Sequence, residues 1–218
     1  MQRKTVVSAN VAGRDQKSAV KEIKQKIESN IKLPEGYRIE YGGQFESEAE
    51  ASRTLMLTSV LALFVIFFLL FQEFKNVKVS LIILLNLPLA LIGGVLSIWL
   101  TSGILSIPAI IGFITLFGIA TRNGILLVTH YQTLAKEGIP LYQSIIEGSK
   151  DRLSPILMTA LTAGLALIPL AIGGHLPGNE IQSPMAKVIL GGLLSSTLLN
   201  LFVVPVVYFL SNKKRETK

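Results

Sequence analysis

The fold is decided by stretches such as Val79–Leu100, VSLIILLNLPLALIGGVLSIWL, which runs for 22 residues without a charged side chain. About 20 mostly apolar residues cross the hydrocarbon core of a membrane as a helix, whereas helices buried in soluble proteins are rarely apolar for so long. The stretch therefore predicts a transmembrane helix, although Asn86, Pro88 and the pair Gly93–Gly94 interrupt its apolar character.

Four further stretches have the same character, at about Thr54–Phe71, Ile104–Val128, Leu153–Ile172 and Val188–Leu210. One charged residue, Arg122, lies inside them. Since each is long enough to cross a membrane, we expect an α-helical membrane protein built on a bundle of five transmembrane helices.

The charge distribution supports this interpretation. Of 218 residues, 50% are hydrophobic and only 16% are charged, against about 25% in soluble domains. Residues 1–53 hold ten Lys/Arg and eight Asp/Glu, while the remaining 165 residues hold eleven and six. This pattern argues against a soluble enzyme and a disordered chain, and the absence of Cys excludes a disulfide scaffold. The net charge of +7 could suggest nucleic acid, but charges placed between spans indicate membrane lipid instead.

The positive charges also predict an orientation. Nine Lys/Arg residues lie in the links after the first and third spans, around the start of the fourth span and in the tail, whereas the links on the other side, Thr101–Gly103 and Gly173–Ala186, hold none. Because cytoplasmic loops carry excess Lys and Arg, the C-terminus is predicted to be cytoplasmic and residues 1–53 to lie outside.

Residues 1–53, called the polar head below, have the sequence pattern of a β-α-β unit. Thr5–Val11 and Tyr37–Tyr41 have the residue pattern of strands, and Gln16–Asn30 repeats apolar residues at helical spacing. Two strands and one helix do not close a core, so we expect further sheet from elsewhere. Residues 44–53 are predicted to be a helical lead-in to the first span.

The start of the sequence lacks the apolar segment of a signal peptide. A charged head of about fifty residues would be difficult to export without one. We therefore expect the chain to be the C-terminal part of a longer protein, in which an upstream span exports the head.

Arg122 is the strongest functional signal, because a charged residue inside a span costs at least about 2.5–3.5 kcal/mol and usually has a partner. Counting 1.5 Å per residue from the cytoplasmic face puts Arg122 about 12 Å deep and Thr159 about 9 Å deep, so a contact between them is geometrically reasonable. The alternative is that the Arg122 side chain reaches out to the inner surface.

Three asparagines accompany this arginine. Asn123 follows it directly, and Asn86 and Asn200 lie at comparable depths in the second and fifth spans. Together they predict a polar layer in the bundle interior, although single Asn residues in spans often serve only to pack helices.

Several kinds of site are not expected from this sequence. No carboxylate lies inside any span, so an acidic partner of Arg122 would come from outside these residues. There is no phosphate-binding P-loop motif for ATP. His130 and His175 are single imidazoles without a second ligand at metal-binding spacing, so no metal site is predicted. We expect no cofactor and no enzymatic activity.

Five short motifs resemble the C-terminal end of the resistance-nodulation-division (RND) efflux permeases. Asn10–Asp15, Leu33–Tyr37 and Tyr41–Glu46 are similar to the last porter-subdomain piece of the heavy-metal efflux branch. Gly118–Ile125 is similar to the tenth span of the family, and Arg152–Thr159 to the start of the eleventh. The resemblance covers essentially the full length of the chain.

The resemblance implies a trimeric proton antiporter of the inner membrane with twelve spans, acting with a periplasmic adaptor and an outer-membrane channel. Residues 1–43 would belong to the porter domain, residues 54–212 to the membrane domain as spans eight to twelve, and residues 213–218 to a basic cytoplasmic tail. Arg122 takes the position of a proton-relay Lys in drug-exporting members, and Arg152 and Thr159 match two further relay-associated positions. Asn123, beside Arg122, is a further candidate for the relay. The family's acidic relay residues lie on its fourth span, which is not in this sequence.

Three functions therefore remain open. The first is a component of a proton-driven exporter of metal cations or small toxic compounds, and the sequence does not identify which. The second is an inert truncated or split-gene fragment. The third is a protein-translocation subunit of the related secretion type, which the motifs around Arg122 argue against.

Overall fold

The computed structural model describes residues 5–9, 16–31, 34, 36–41, 44–101, 103, 105–174, 176, 178–179 and 181–216. These residues contain seven helices, which are α1 Gln16–Asn30, α2 Gln44–Phe74, α3 Val77–Leu84, α4 Asn86–Thr101, α5 Ile107–Lys136, α6 Leu141–Ile172 and α7 Gln182–Glu216. The chain divides into two compact units, Met1–Thr54 and Leu55–Lys218.

In the first unit, the described residues contain the predicted helix but not the two predicted strands. Residues 5–9 and 37–41 belong to no ladder, and Asn10 and Val11 lie outside the described residues. Arg38 Nη2 and Glu40 Oε1 form an ion pair at 2.8 Å. A strand needs a neighbour to pair its backbone groups, and the sequence pattern alone supplies no such neighbour.

The second unit contains five stretches that are long and apolar enough to cross a membrane, matching the predicted spans in number and order. They are Glu50–Phe74, Val77–Thr101, Ile107–Lys136, Leu141–Ile172 and Gln182–Lys213. The helices are longer than the predicted apolar runs because polar residues beyond the hydrocarbon core continue the same backbone hydrogen bonding.

The second span is divided into α3 and α4 at Leu85. Pro88 has no backbone N–H and therefore cannot donate to the carbonyl of Leu84, four residues earlier, which accounts for the interruption. The Asn76 side chain caps the start of α3 by accepting a hydrogen bond of 3.0 Å from the Lys78 backbone N–H. Asn86, predicted to lie in a polar layer, is thus the first residue after the break.

Helix α7 packs against α4, α5 and α6, and glycines make the contact with α4 close. A Cβ added to Gly93 would collide with the carbonyl oxygen of Gly191. Two hydroxyls bridge the same helices, since Ser97 Oγ donates to the Lys187 carbonyl at 2.7 Å and Ser195 Oγ to the Leu89 carbonyl at 3.0 Å. Small residues and interhelical hydrogen bonds of this kind hold helices together where lipid gives no hydrophobic drive.

Candidate functional site

Arg122 lies near the middle of α5, on the face that the rest of the bundle leaves exposed. Residues 111, 115, 118, 126, 129 and 133 are exposed on the same side and follow helical spacing. Gly118, one turn before Arg122, has no atom within 4 Å of where a Cβ would lie, so the space beside the arginine is open. Arg122 forms no ion pair with any residue that the structure describes.

The contacts of α7 define the relative depths of the helices. Leu116 of α5 meets Gly192 of α7, and a Cβ added to Gly164 of α6 would lie 3.9 Å from Leu190 Cδ2. Counting along the helices from these contacts puts Thr159 within about one turn of the level of Arg122. Thr159 and Arg122 therefore lie at similar levels along the bundle, as their counted depths predicted.

Among the described residues, no hydrogen bond joins Arg122 to Thr159. The Thr159 hydroxyl instead donates to the Pro155 carbonyl of its own helix at 2.8 Å, and the side chain is exposed. Arg152 is half-buried two turns closer to the start of α6. The three residues matched to the relay therefore lie on two neighbouring helices, and no hydrogen bond joins them among the described residues.

The asparagines occupy the opposite, buried side of the bundle. Asn86 and Asn200 are each 1% exposed and Asn123 is 5% exposed. Asn86 packs against Gly124, where an added Cβ would collide with its side-chain nitrogen. Consecutive residues of a helix point about 100° apart, so Arg122 and Asn123 face different surroundings. The structure thus separates Arg122 from the asparagines with which it was expected to form one polar layer.

A polar clasp that the sequence analysis did not predict joins the facing ends of α5 and α6. His130 Nε2 lies 3.0 Å from Asp151 Oδ2, and the Tyr131 hydroxyl lies 2.5 Å from Ser149 Oγ. Gly148 makes this approach feasible, because a Cβ there would lie 2.7 Å from the Tyr131 ring. No sequence spacing signals the pair, since its residues are 21 positions apart on different helices; His175 lies outside the described residues.

A model of the AcrB/AcrD/AcrF family matches residues 1–212 of this chain. The chain belongs to this family. The predicted resemblance to the RND efflux permeases, and to their heavy-metal branch, is confirmed by the relatives that follow.

Over 214 residues the chain is 42% identical to the cobalt-zinc-cadmium resistance protein CzcA of Cupriavidus metallidurans, covering 98% of this chain and 20% of that protein. It is 31% identical over 207 residues to the cation efflux system protein CusA of Escherichia coli, covering 89% of this chain and 20% of CusA. A crystal structure of a heavy metal efflux pump matches with a TM-score of 0.77 and 35% identity, covering 92% of this chain and 20% of that one. The chain therefore spans about a fifth of the length of these family members.

Proposed function

We propose that this chain is part of a proton-driven RND transporter that exports metal cations across the inner membrane. The observation that carries the proposal is Arg122, a cation held at mid-bundle on an exposed face of α5 with no ion pair among the described residues. Placing a guanidinium at this depth costs free energy unless a nearby anion offsets its charge. In this proposal, a carboxylate from another segment of the transporter packs on the Arg122 face.

Proton coupling follows from that pairing. A carboxylate beside Arg122 attracts the guanidinium when ionised and loses most of that attraction when it binds a proton. The two states favour different packing of α5 against the segment that carries the acid. Arg122 itself does not release a proton, because its guanidinium remains charged throughout the physiological range. Thr159 and Arg152, on α6, and Asn123, on α5, would adjust to the same movement.

The metal substrate is inferred from the relatives, whose names specify cobalt-zinc-cadmium resistance and cation efflux. The same family likeness supports the remaining assignments. Residues 1–43 would be a porter piece whose strands pair with strands from other segments, residues 44–53 a helical lead-in, residues 54–212 the membrane domain and residues 213–218 a cytoplasmic tail. The head would be periplasmic, and the assembly a homotrimer with an adaptor and an outer-membrane channel.

The test uses the full-length transporter in everted membrane vesicles, with Zn²⁺ as the probe and an imposed proton gradient. Arg122→Met should abolish gradient-driven Zn²⁺ transport, because it removes the charge while keeping similar side-chain volume. Arg122→Lys should retain measurable transport because it keeps the charge. Leu126→Met, on the same exposed face of α5, is the matched control and should transport normally. Normal transport by Arg122→Met would contradict the relay role.

A second function is supported by the coverage of about a fifth of each relative. A chain of this extent could be an inert fragment without transport of its own. Expressing residues 1–218 alone in cells stripped of other exporters tests this hypothesis. Gradient-driven Zn²⁺ efflux from such cells would eliminate it, and would also show that Arg122 needs no carboxylate from another segment.

A further inference from the structure

A cavity of about 270 Å³ opens at the end of the bundle where α5 and α7 finish and α3 and α6 begin. All four helices contribute to its lining, through residues that include Asn76, Gln132, Leu141 and Asn212. Each of these four positions lies within four residues of the end of a candidate span. The cavity is therefore at the level where the hydrocarbon core of a membrane gives way to the lipid headgroups.

Three side-chain amides line the cavity, and each retains N–H groups for a ligand. Asn76 Oδ1 accepts a hydrogen bond of 3.0 Å from the Lys78 backbone N–H, which leaves the Asn76 amide nitrogen without a partner among the described residues. Asn212 Nδ2 donates to the Tyr208 carbonyl at 2.9 Å and keeps a second N–H. The half-buried Gln132 side chain makes no hydrogen bond to any residue that the structure describes. These donors suit a ligand that is rich in acceptor oxygens.

Positive charges adjoin the same cavity. Four lysines are direct chain neighbours of residues that line it, and these are Lys75, Lys78, Lys136 and Lys213. The first three are exposed and form no ion pair with any residue that the structure describes. The nearest carboxylates along the chain, Glu73 and Glu137, do not line the cavity. Four positive and two negative charges give this opening a net positive charge, which attracts anions.

Lys75 occupies a backbone conformation that favours glycine. Its φ is +46°, and its N–H donates to the Phe71 carbonyl at 2.8 Å as α2 ends. Glycine, or sometimes asparagine, is the usual residue in this left-handed conformation after a helix, because a Cβ disfavours it. Among the described residues, no other non-glycine residue has a positive φ. The lysine is therefore better explained by its charged side chain than by the turn.

The rest of the lining indicates which kind of anion fits. Val79, Ala135 and Leu141 give the cavity an apolar side next to its amides. A free inorganic anion gains nothing from apolar contact, whereas a phospholipid carries acyl chains beside its phosphate. The volume is just below the roughly 300 Å³ of the smallest small-molecule pockets, so it suits a headgroup rather than a whole lipid. Basic pockets between membrane helices are known to bind anionic headgroups.

We propose that this cavity binds the phosphate group of an anionic phospholipid. The amides of Gln132 and Asn212 donate to the phosphate oxygens, and the neighbouring lysines balance the negative charge. The acyl chains leave past the apolar side of the cavity towards the hydrocarbon core. The site is independent of the proposed transport function, because it involves neither Arg122 nor a particular side of the membrane.

The experiment measures the binding of dioleoylphosphatidylglycerol to the full-length protein in detergent by native mass spectrometry, with dioleoylphosphatidylcholine as the zwitterionic reference. Gln132→Leu removes the amide without changing the net charge, so the affinity for the tightest-bound phosphatidylglycerol should fall about tenfold. Lys136→Gln should lower that affinity about fivefold through the lost charge. Binding of phosphatidylcholine should not change in either variant.

Two controls make the same changes at exposed positions that do not line the cavity. Gln72→Leu and Lys150→Gln should keep the original affinity for phosphatidylglycerol. Lys75→Gly suits the left-handed backbone, so it keeps the fold and should lower the affinity about fivefold. Equal affinities for Gln132→Leu and Gln72→Leu would overturn the proposal. Displacement of phosphatidylglycerol by inorganic phosphate at the same concentration would also overturn it, because that result assigns the cavity to a free anion.

A second measurement does not depend on the stability of any variant. Cryo-electron microscopy of the unmodified protein in phosphatidylglycerol nanodiscs should show phosphate density within hydrogen-bond distance of the Gln132 or Asn212 side chain. The same density should be absent in phosphatidylcholine nanodiscs. A cavity without density in phosphatidylglycerol, at a resolution that shows other bound lipids, would contradict the proposal. Equal density in the two lipids would contradict the selectivity for an anionic headgroup.

Discussion

Replacing Gly191 by alanine tests the close packing of α4 on α7 that holds the bundle together. The new Cβ would lie 2.5 Å from the Gly93 carbonyl oxygen, where ordinary contact begins at 3.4 Å. Backbone cannot rotate away as a side chain can, so the two helices must separate by about 0.9 Å locally.

The separation reaches the hydrogen bonds that flank the contact. The bond of 2.7 Å from Ser97 to the Lys187 carbonyl would lengthen to about 3.6 Å, beyond the range of a useful hydrogen bond. Interhelical bonds in membranes contribute about 0.6 kcal/mol each, and forced overpacking costs about 1–3 kcal/mol. After a gain of up to about 1 kcal/mol in helix propensity, we expect Gly191→Ala to destabilise the bundle by about 1–2 kcal/mol.

The assay is thermal unfolding of the full-length protein in detergent. Because the shift in melting temperature per kcal/mol falls as a protein grows, and this chain is 20% of its relative's length, 1 kcal/mol corresponds to a shift of less than about 1 °C. Gly164→Ala is the control, because its Cβ would meet only Leu190 Cδ2 at 3.9 Å, an ordinary contact. The control should unfold at or slightly above the original temperature. If Gly191→Ala proves as stable as Gly164→Ala, glycine packing does not hold α4 to α7.

The α5–α6 clasp and the interhelical serines give three further predictions, each checked by the same unfolding assay. Gly148→Val should lower stability by about 1–3 kcal/mol, since its Cβ would lie 2.7 Å from the Tyr131 ring; unchanged stability would mean that α6 shifts freely. Asp151→Asn should change stability by less than about 1 kcal/mol despite the 3.0 Å pair with His130, because the Asp151 side chain is 60% exposed. A larger loss would show that the pair is screened from water. Ser195→Ala should lower stability by about 0.6 kcal/mol through its lost bond to α4, and a gain would argue that this bond is not formed in the membrane.

Two features could not be predicted fully from the sequence: the strands expected in residues 1–53 and the polar clasp between α5 and α6. The segments around Thr5 and Tyr37 have the composition of strands, but strand formation depends on a partner that local composition does not specify. Helix α1 needs no such partner, because its backbone groups bond within the segment, and it begins and ends where its apolar repeat predicts. The contact between His130 and Asp151 depends on Gly148 letting two helices approach, which no residue spacing encodes.

The composition of each segment is enough to identify the five helices that can cross a membrane and their order, because the transfer of a helix into lipid depends on that segment alone. Short motifs were enough to identify the family likeness. The packing of the helices was needed to show which way each polar side chain faces. It placed Arg122 on the exposed face of α5 and buried Asn86, Asn123 and Asn200. The depth of a residue in the membrane follows from counting residues along its own helix. The direction in which its side chain points depends instead on where the neighbouring helices pack.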